Sequence, residues 1–181
     1  MEAIYAVDLK FGLSKLGQIP WHSKKDLKFF MNITKNNVVI MGRKTYFSLP
    51  KRPLKDRVNI ILTSSPHEFV LDEDVDLTNV IFTNNDKIYN SILNNREKYL
   101  KSFSCLTTNF KIFIIGGKQI YDKFIPLCKK VWVTQIKKNY SCDLFLEYDY
   151  SKEFKEELVE EDDELKIVKY EKSILPSGST F

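Results

Sequence analysis

The feature that most constrains this chain is the alternation of short, β-branched apolar runs with stretches of helical periodicity. Ile4–Val7, Val38–Met41, Val58–Leu62, Val80–Phe82, Ile112–Ile115 and Val131–Ile136 are bounded by turn residues and lack strict polar alternation. Such runs suit strands buried on both faces. Between them, Lys24–Thr34 carries Leu27, Phe30, Met31 and Thr34 at helical spacing, with Ser23 placed to cap its start. Asp86–Leu100, with Ile88, Ile92 and Tyr99, and Lys118–Leu127, with Ile120, Tyr121, Phe124 and Ile125, read as two further helices. Strand–helix alternation of this kind predicts an α/β fold with a mostly parallel sheet covered on both faces.

The last third changes character. Phe154–Val159 and Leu165–Tyr170 flank the acidic stretch Glu160–Glu164, which reads as the turn of an antiparallel hairpin and brings the expected strand count to eight. His67–Thr78 and Lys101–Asn109 read as surface loops. With 181 residues, no internal repeat and no linker, one domain over residues 1–174 is expected, with a flexible tail over 175–181.

Composition narrows the function classes. A net charge of +4 is mild, and Lys and Arg are scattered, so neither a nucleic acid nor a membrane surface is expected as partner. No apolar run approaches the roughly 20 residues of a membrane span, and the N-terminus lacks the pattern of a secretory signal. Cys105, Cys128 and Cys142 form no CxxC pair, which points to a reducing, cytoplasmic setting. His22 and His67 have no neighbours at metal-ligand spacing, so no metal site is expected.

Four segments carry chemistry. Asp26 lies in the first turn of the Lys24–Thr34 helix, on the face of Phe30 and Ile33, just after Trp21. Two readings of it stand: a carboxyl kept among aromatics for proton transfer, or a solvent-facing acid at a helix start. Spacing by itself favours the second. Met41-Gly42-Arg43-Lys44-Thr45 and Ile114-Ile115-Gly116-Gly117-Lys118 each run from a strand through glycine into a helix, where free N–H groups can face an anion. Neither has P-loop or GxGxxG spacing, and a plain βα turn remains open for each. Arg57, in the basic loop Arg52–Asn59, could clamp a carboxylate or be solvated.

In this order and spacing, the segments resemble the dihydrofolate reductase family over nearly all of the first 150 residues. Ala6, Gly12-Leu13 and Ile19-Pro20-Trp21 resemble that family's first strand and mobile loop, and Trp21 followed by Asp26-Leu27-Lys28-Phe29-Phe30 its catalytic helix. Val39–Thr45, Arg52-Pro53-Leu54, Arg57 with Asn59, Ile115-Gly116-Gly117 with Tyr121, and Thr134 complete the pattern.

The resemblance implies NADPH-dependent reduction of dihydrofolate to tetrahydrofolate, in support of one-carbon metabolism and thymidylate synthesis. Asp26 would bind the pterin and promote N5 protonation, supported by Thr134 and Trp21. Ile4 and Ile115 would offer carbonyls to the pterin, Phe30 and Leu49 would pack on substrate, and Arg57 would hold the glutamate carboxylate. Ala6, Leu13 and Ser48 would line the nicotinamide. Gly42, Arg43, Lys44 and Thr45 would meet the cofactor's phosphates, with Ser64 near the 2′-phosphate. Gly116, Gly117, Lys118, Gln119, Ile120 and Tyr121 would cradle its pyrophosphate and nicotinamide region, with the Gly–Gly bond cis as in the family. Folate analogues (antifolates) are implied ligands, and a monomer, or a fusion or association with thymidylate synthase, the implied assembly.

Two positions depart from the family pattern: Ser14, where glycine is common, and Leu16, where asparagine is frequent. Both touch loop closure rather than chemistry. A non-catalytic pteridine- or nucleotide-binding module and a riboflavin-pathway reductase of the same fold are the competing readings. The first would not need Asp26, and the second would give Arg57 no carboxylate.

Overall fold

The computed structural model describes residues 1–67 and 76–173. The expected tail lies outside them, as does most of the His67–Thr78 excursion. The elements run β1 (Glu2–Val7), β2 (Gly12–Ser14), α1 (Lys24–Thr34), β3 (Val38–Gly42), α2 (Arg43–Ser48), β4 (Val58–Leu62), β5 (Val80–Thr83), α3 (Ile88–Asn94), α4 (Arg96–Ser102) and β6 (Ile112–Ile114). There follow α5 (Lys118–Phe124), β7 (Lys130–Ile136), β8 (Leu144–Phe145), β9 (Phe154–Glu161) and β10 (Leu165–Lys172), with 3-10 turns at Ile125–Leu127 and Tyr150–Lys152.

Eight strands form one sheet in the order β5-β4-β3-β6-β1-β7-β10-β9. Every neighbour pair from β5 to β7 is parallel; β10 lies antiparallel to both β7 and β9. All eight expected strands are therefore in this sheet. Two more, β2 and β8, pair as a separate ribbon that was too short to leave a periodic signal.

Both faces of the sheet are buried, which explains the unbroken apolar runs. On one face Ala3, Val38, Ile40, Ile112 and Ile114 pack with Ile92, Tyr121 and Phe124 of α3 and α5. On the other, Ile4, Val39, Met41, Phe113 and Ile115 meet Phe29, Phe30 and Ile33 of α1. The β-strand period of two sends neighbouring residues of β3 to opposite layers.

Two helical expectations are corrected. The helix expected over Asp86–Leu100 is split at Asn95 (φ −129°, ψ 38°), whose side-chain amide donates to Ser91 O at 2.9 Å. That local bond competes with the helical ladder. The Arg96 guanidinium is drawn off to Phe110 O at 2.8 Å. In α1 the core stripe is rotated: Leu27 is 53% and Met31 46% exposed, while Asp26, Phe29, Phe30, Ile33 and Thr34 turn inward. None of the described helices is long and apolar enough to cross a membrane.

Candidate active site

Parallel pairing brings the C-terminal ends of β1, β3, β4, β6 and β7 to one edge of the sheet, where the loops after them converge. Helix α1 crosses the sheet from this edge to the opposite one. Its first turn carries Asp26; its last residue is Thr34. A rise of about 1.5 Å per residue separates these two by about 12 Å.

Asp26 is half-buried, and its carboxylate is hydrogen-bonded to the Thr134 hydroxyl of β7. Burial holds this carboxyl above the usual carboxylate range; the bond to Thr134 opposes the rise, and the negative charge of Glu164 adds to it. Asp26 is therefore turned partly inward rather than fully toward solvent. Thr134 is itself buried and lies in register with Ala6 of β1. Trp21 is also buried, among Ile136, Leu165 and Ile167, with its ring tilted against Tyr140 at 5.7 Å and Phe29 packed nearby. It therefore fixes the end of the loop before α1.

At the far end of α1, Arg57 is buried although it is a cation. Its Nη1 donates to Thr34 Oγ1 at 3.0 Å and its Nε to Lys55 O at 2.9 Å, and the guanidinium lies over the Phe30 ring at 5.8 Å. Thr34 in turn donates to Phe30 O at 2.8 Å. Burial lowers the Arg57 pKa, which Asp56 partly offsets, yet no carboxylate among the described residues is ion-paired with it. A buried guanidinium without a carboxylate partner has the chemistry to take an anion. Asn59, fully buried, shapes the loop that presents it: its side chain bonds Leu54 N, Leu54 O and Arg57 O, and the Arg52–Pro53 bond is cis.

Between these ends, Ile4, Ile115, Phe30 and Leu49 meet in one apolar cluster. Ile4 O already accepts a hydrogen bond from the buried Tyr121 hydroxyl at 2.9 Å, leaving one lone pair of that carbonyl. Burial pushes the Tyr121 phenol well above its ordinary value, so it stays a donor.

The two glycine junctions lie against each other. Gly42 N donates to Gly116 O at 2.8 Å, and the Gly116–Gly117 bond is cis. Gly116 has φ 120°, a conformation that disfavours any side chain. A Cβ on Gly117 would meet Thr45 Oγ1 at 3.2 Å, and one on Gly42 would meet Ile120 at the same distance. The backbone of one helix start is thus brought to the side chains of the other. Around this cradle Arg43, Lys44, Ser48, Ser64 and Gln119 are exposed, while Lys118 bonds Asp122 at 2.9 Å. Leu13 is buried in the first-face core.

The combination of a half-buried acid, an unpaired buried arginine along the same helix, and a double glycine junction follows one family's pattern in order. The dihydrofolate reductase family model matches residues 1–174.

The chain belongs to the dihydrofolate reductase family.

Its relatives agree. A dihydrofolate reductase of Ureaplasma parvum is 34% identical over 151 residues, covering 83% of this chain and 84% of that protein. One from Drosophila melanogaster is 33% identical over 153 residues, covering 78% and 76%. A bifunctional dihydrofolate reductase-thymidylate synthase of Daucus carota is 35% identical over 156 residues, which is 80% of this chain but 28% of that protein. The fold is also that of an Enterococcus faecalis dihydrofolate reductase complexed with NADP(H) and RAB-propyl, with a TM-score of 0.64, 24% identity, and coverage of 94% and 95% of the two chains.

The dihydrofolate reductase frame exposes residues that sequence reasoning passed over. Asp8, buried at the end of β1, accepts from Lys10 N and Gly12 N at 2.9 Å and from Tyr140 N at 3.0 Å. Burial would raise its pKa, but these N–H groups outweigh it and leave the carboxyl below its ordinary value. Burial and the Asp8 charge push the Cys142 thiol up to about 11. Asp8 thus ties the root of the Gly12–Trp21 loop to the segment after β7. The signal was present in the sequence as an Asp at a strand end followed by a turn. Leu27 is a different case: it stands 53% exposed next to Asp26, and apolar periodicity does not separate an exposed apolar side chain from a core one.

Proposed function

We propose that this chain reduces 7,8-dihydrofolate to 5,6,7,8-tetrahydrofolate with NADPH, through a site built on α1 and the glycine junctions. The observation that carries the reading is that one helix holds both ends: Asp26, hydrogen-bonded to Thr134, in its first turn, and about 12 Å further along Thr34, which holds the buried Arg57. A pterin ring at one end and a glutamate carboxylate at the other match that spacing and those charges.

NADPH, when bound, supplies the hydride that reaches pterin C6. The glycines at 42, 116 and 117 let the two junctions pack closely, since a Cβ there would press on Ile120, Tyr121 or Thr45 at 3.2 Å, and the backbone so shaped is where its pyrophosphate would lie. Arg43, Lys44, Thr45 and Ser64 bind its phosphates, and Gly116 to Tyr121, through Lys118, Gln119 and Ile120, support the rest. Ala6, Leu13 and Ser48 border the nicotinamide. Ile4 and Ile115 orient the pterin by their carbonyls, and Phe30 and Leu49 pack on it and exclude water.

Asp26 holds the 2-amino and N3 side of the pterin and delivers a proton toward N5. The added proton and hydride would convert the C6–N5 double bond to a single bond. Because burial raises its pKa, Asp26 keeps its proton to a higher pH than an exposed aspartate would. Hydride transfer therefore falls as pH rises through that raised pKa.

The reductase unit spans residues 1–174, works in the cytoplasm as a monomer or beside thymidylate synthase, and takes antifolates at the same cleft. The test is NADPH oxidation on adding dihydrofolate, with Asp26→Asn as control. The expected loss in the variant is about 10²- to 10⁴-fold. A folded wild type that binds NADPH but shows no turnover would sink the reading in favour of a non-catalytic binding module.

A further inference from the structure

We propose that Glu164, on the turn between β9 and β10, is a positioning residue for Asp26, holding the start of α1 through the hydroxyl of Ser23. The inference rests on the reductase reading for what Asp26 does, but its geometry stands on its own.

Ser23 is the N-cap of α1 and is 4% exposed. Its Oγ accepts from Asp26 N at 3.2 Å, so the backbone of the acid itself is the group that this cap holds. The same hydroxyl donates to Glu164 Oε1. A serine hydroxyl has one proton, and here that proton is committed to Glu164, which turns the oxygen lone pairs toward the helix N–H groups. The cap is thereby locked in its accepting orientation.

The turn that carries Glu164 is itself fixed. Asp162 Oδ1 accepts from Glu164 N at 2.8 Å and Leu165 N at 3.0 Å, and the Asp162 carboxylate also pairs with Lys25 in the first turn of α1. Lys137 N bonds Glu164 O at 2.8 Å, joining the turn to the end of β7, the strand that supplies Thr134. Hairpin and helix start are therefore linked at two points, and the acid is held from its backbone side by Ser23 and from its carboxyl side by Thr134.

Charge adds a second consequence. Around Asp26 stand Thr134 from β7, the Tyr121 hydroxyl from α5, and the Glu164 carboxylate from the hairpin turn; Lys25 on α1 is taken up by Asp162 and also feels Glu164 and Glu160. Lys137 pairs with Glu161 at 2.7 Å. Of these, Glu164 is the anion that acts on Asp26, and it disfavours ionisation of the acid.

The experiment compares wild type, Ser23→Ala, Ser23→Thr, Glu164→Ala and Glu164→Gln. It measures single-turnover hydride transfer against pH at low ionic strength, NADPH affinity, melting temperature, and the Asp26 carboxyl titration by carbon-13 NMR. Glu164→Gln keeps an acceptor for Ser23 but removes the charge. Its low-pH plateau should stay within about twofold of wild type while the midpoint moves to lower pH. Ser23→Ala and Glu164→Ala should lose about tenfold in hydride transfer with NADPH affinity unchanged, and Ser23→Thr should restore the rate.

Wild-type midpoints and plateaus in all four variants would overturn the proposal. So would rates that fall only in step with melting temperature and NADPH affinity, with the midpoint unmoved, since that is what a merely structural turn would give. If the wild type does not turn over, the functional reading fails. The NMR titration then still decides the Glu164–Asp26 link, which an unshifted Asp26 in Glu164→Gln would refute.

Discussion

The two walls of the cleft are built to different tolerances. Along α1, Asp26 and Arg57 are each held by side-chain hydrogen bonds to buried partners, Thr134 and Thr34. Across the cleft, the charged groups at the glycine junctions are exposed, and what is fixed there is backbone: the Gly42–Gly116 hydrogen bond and the close approach of Gly117 to Thr45. On the proposed function, the first wall would meet the substrate with side chains that have already lost their freedom. The second would meet its ligand with shaped backbone and exposed charges, whose contribution is smaller and screened by salt.

The sharpest way to break this contrast is Arg57→Leu. Losing a desolvated charged partner for a carboxylate costs about 2–3 kcal/mol, so KM for dihydrofolate should rise about 30- to 160-fold. KM for NADPH should hardly move. If the dihydrofolate KM stays near wild type, Arg57 is a structural prop for Thr34 and the α1 wall has only one functional end. A smaller effect is expected across the cleft. Lys44→Ala should raise KM for NADPH about tenfold at low salt, and the gap to wild type should shrink as ionic strength rises. A salt-independent loss would mean that this lysine is fixed as firmly as Arg57, and the two walls would not differ in kind.

The same contrast explains what was legible beforehand. Strands buried on both faces leave apolar runs, and six strands of the main sheet could be placed from them, while the β9–β10 pair was placed from the acidic turn between its strands. Asp26 could be named because Phe30 and Ile33 share its face at helical spacing, but its burial could not: that depends on β7 and the β9–β10 turn, which lie more than 100 residues away in the chain. For the same reason the Ser23–Glu164 link left no local trace. Leu27 and Met31 were assigned to the core because an apolar side chain left at the surface looks the same in sequence as one packed inward. The split at Asn95 and the β2–β8 ribbon were lost to purely local competition, an amide against a helical carbonyl and strands too short for a period.

The smallest effect belongs to the loop that joins the two walls. Lys15 and Gln18 exchange backbone hydrogen bonds at 2.8 and 3.0 Å, and the two residues between them, Leu16 and Gly17, have φ 49° and 77°. Positive φ at both central positions defines the tight hairpin turn for which Asn-Gly is preferred. Leucine there carries a steric cost of about 1 kcal/mol from its β-carbon. At 85% exposure it recovers nothing by burial. The bond that anchors the turn, Leu16 N to Asp143 Oδ2 at 2.8 Å, is made by backbone and survives substitution. Leu16→Asn should therefore stabilise the protein by about 0.5–1 kcal/mol, a melting temperature rise of about 1–4 °C, with turnover within about twofold of wild type. A melting temperature that does not rise while turnover changes more than this would show that the loop spends its working time outside this turn. The departure at position 16 would then act on the populations of loop states, and the wall between the two ligands would be more mobile than either wall beside it.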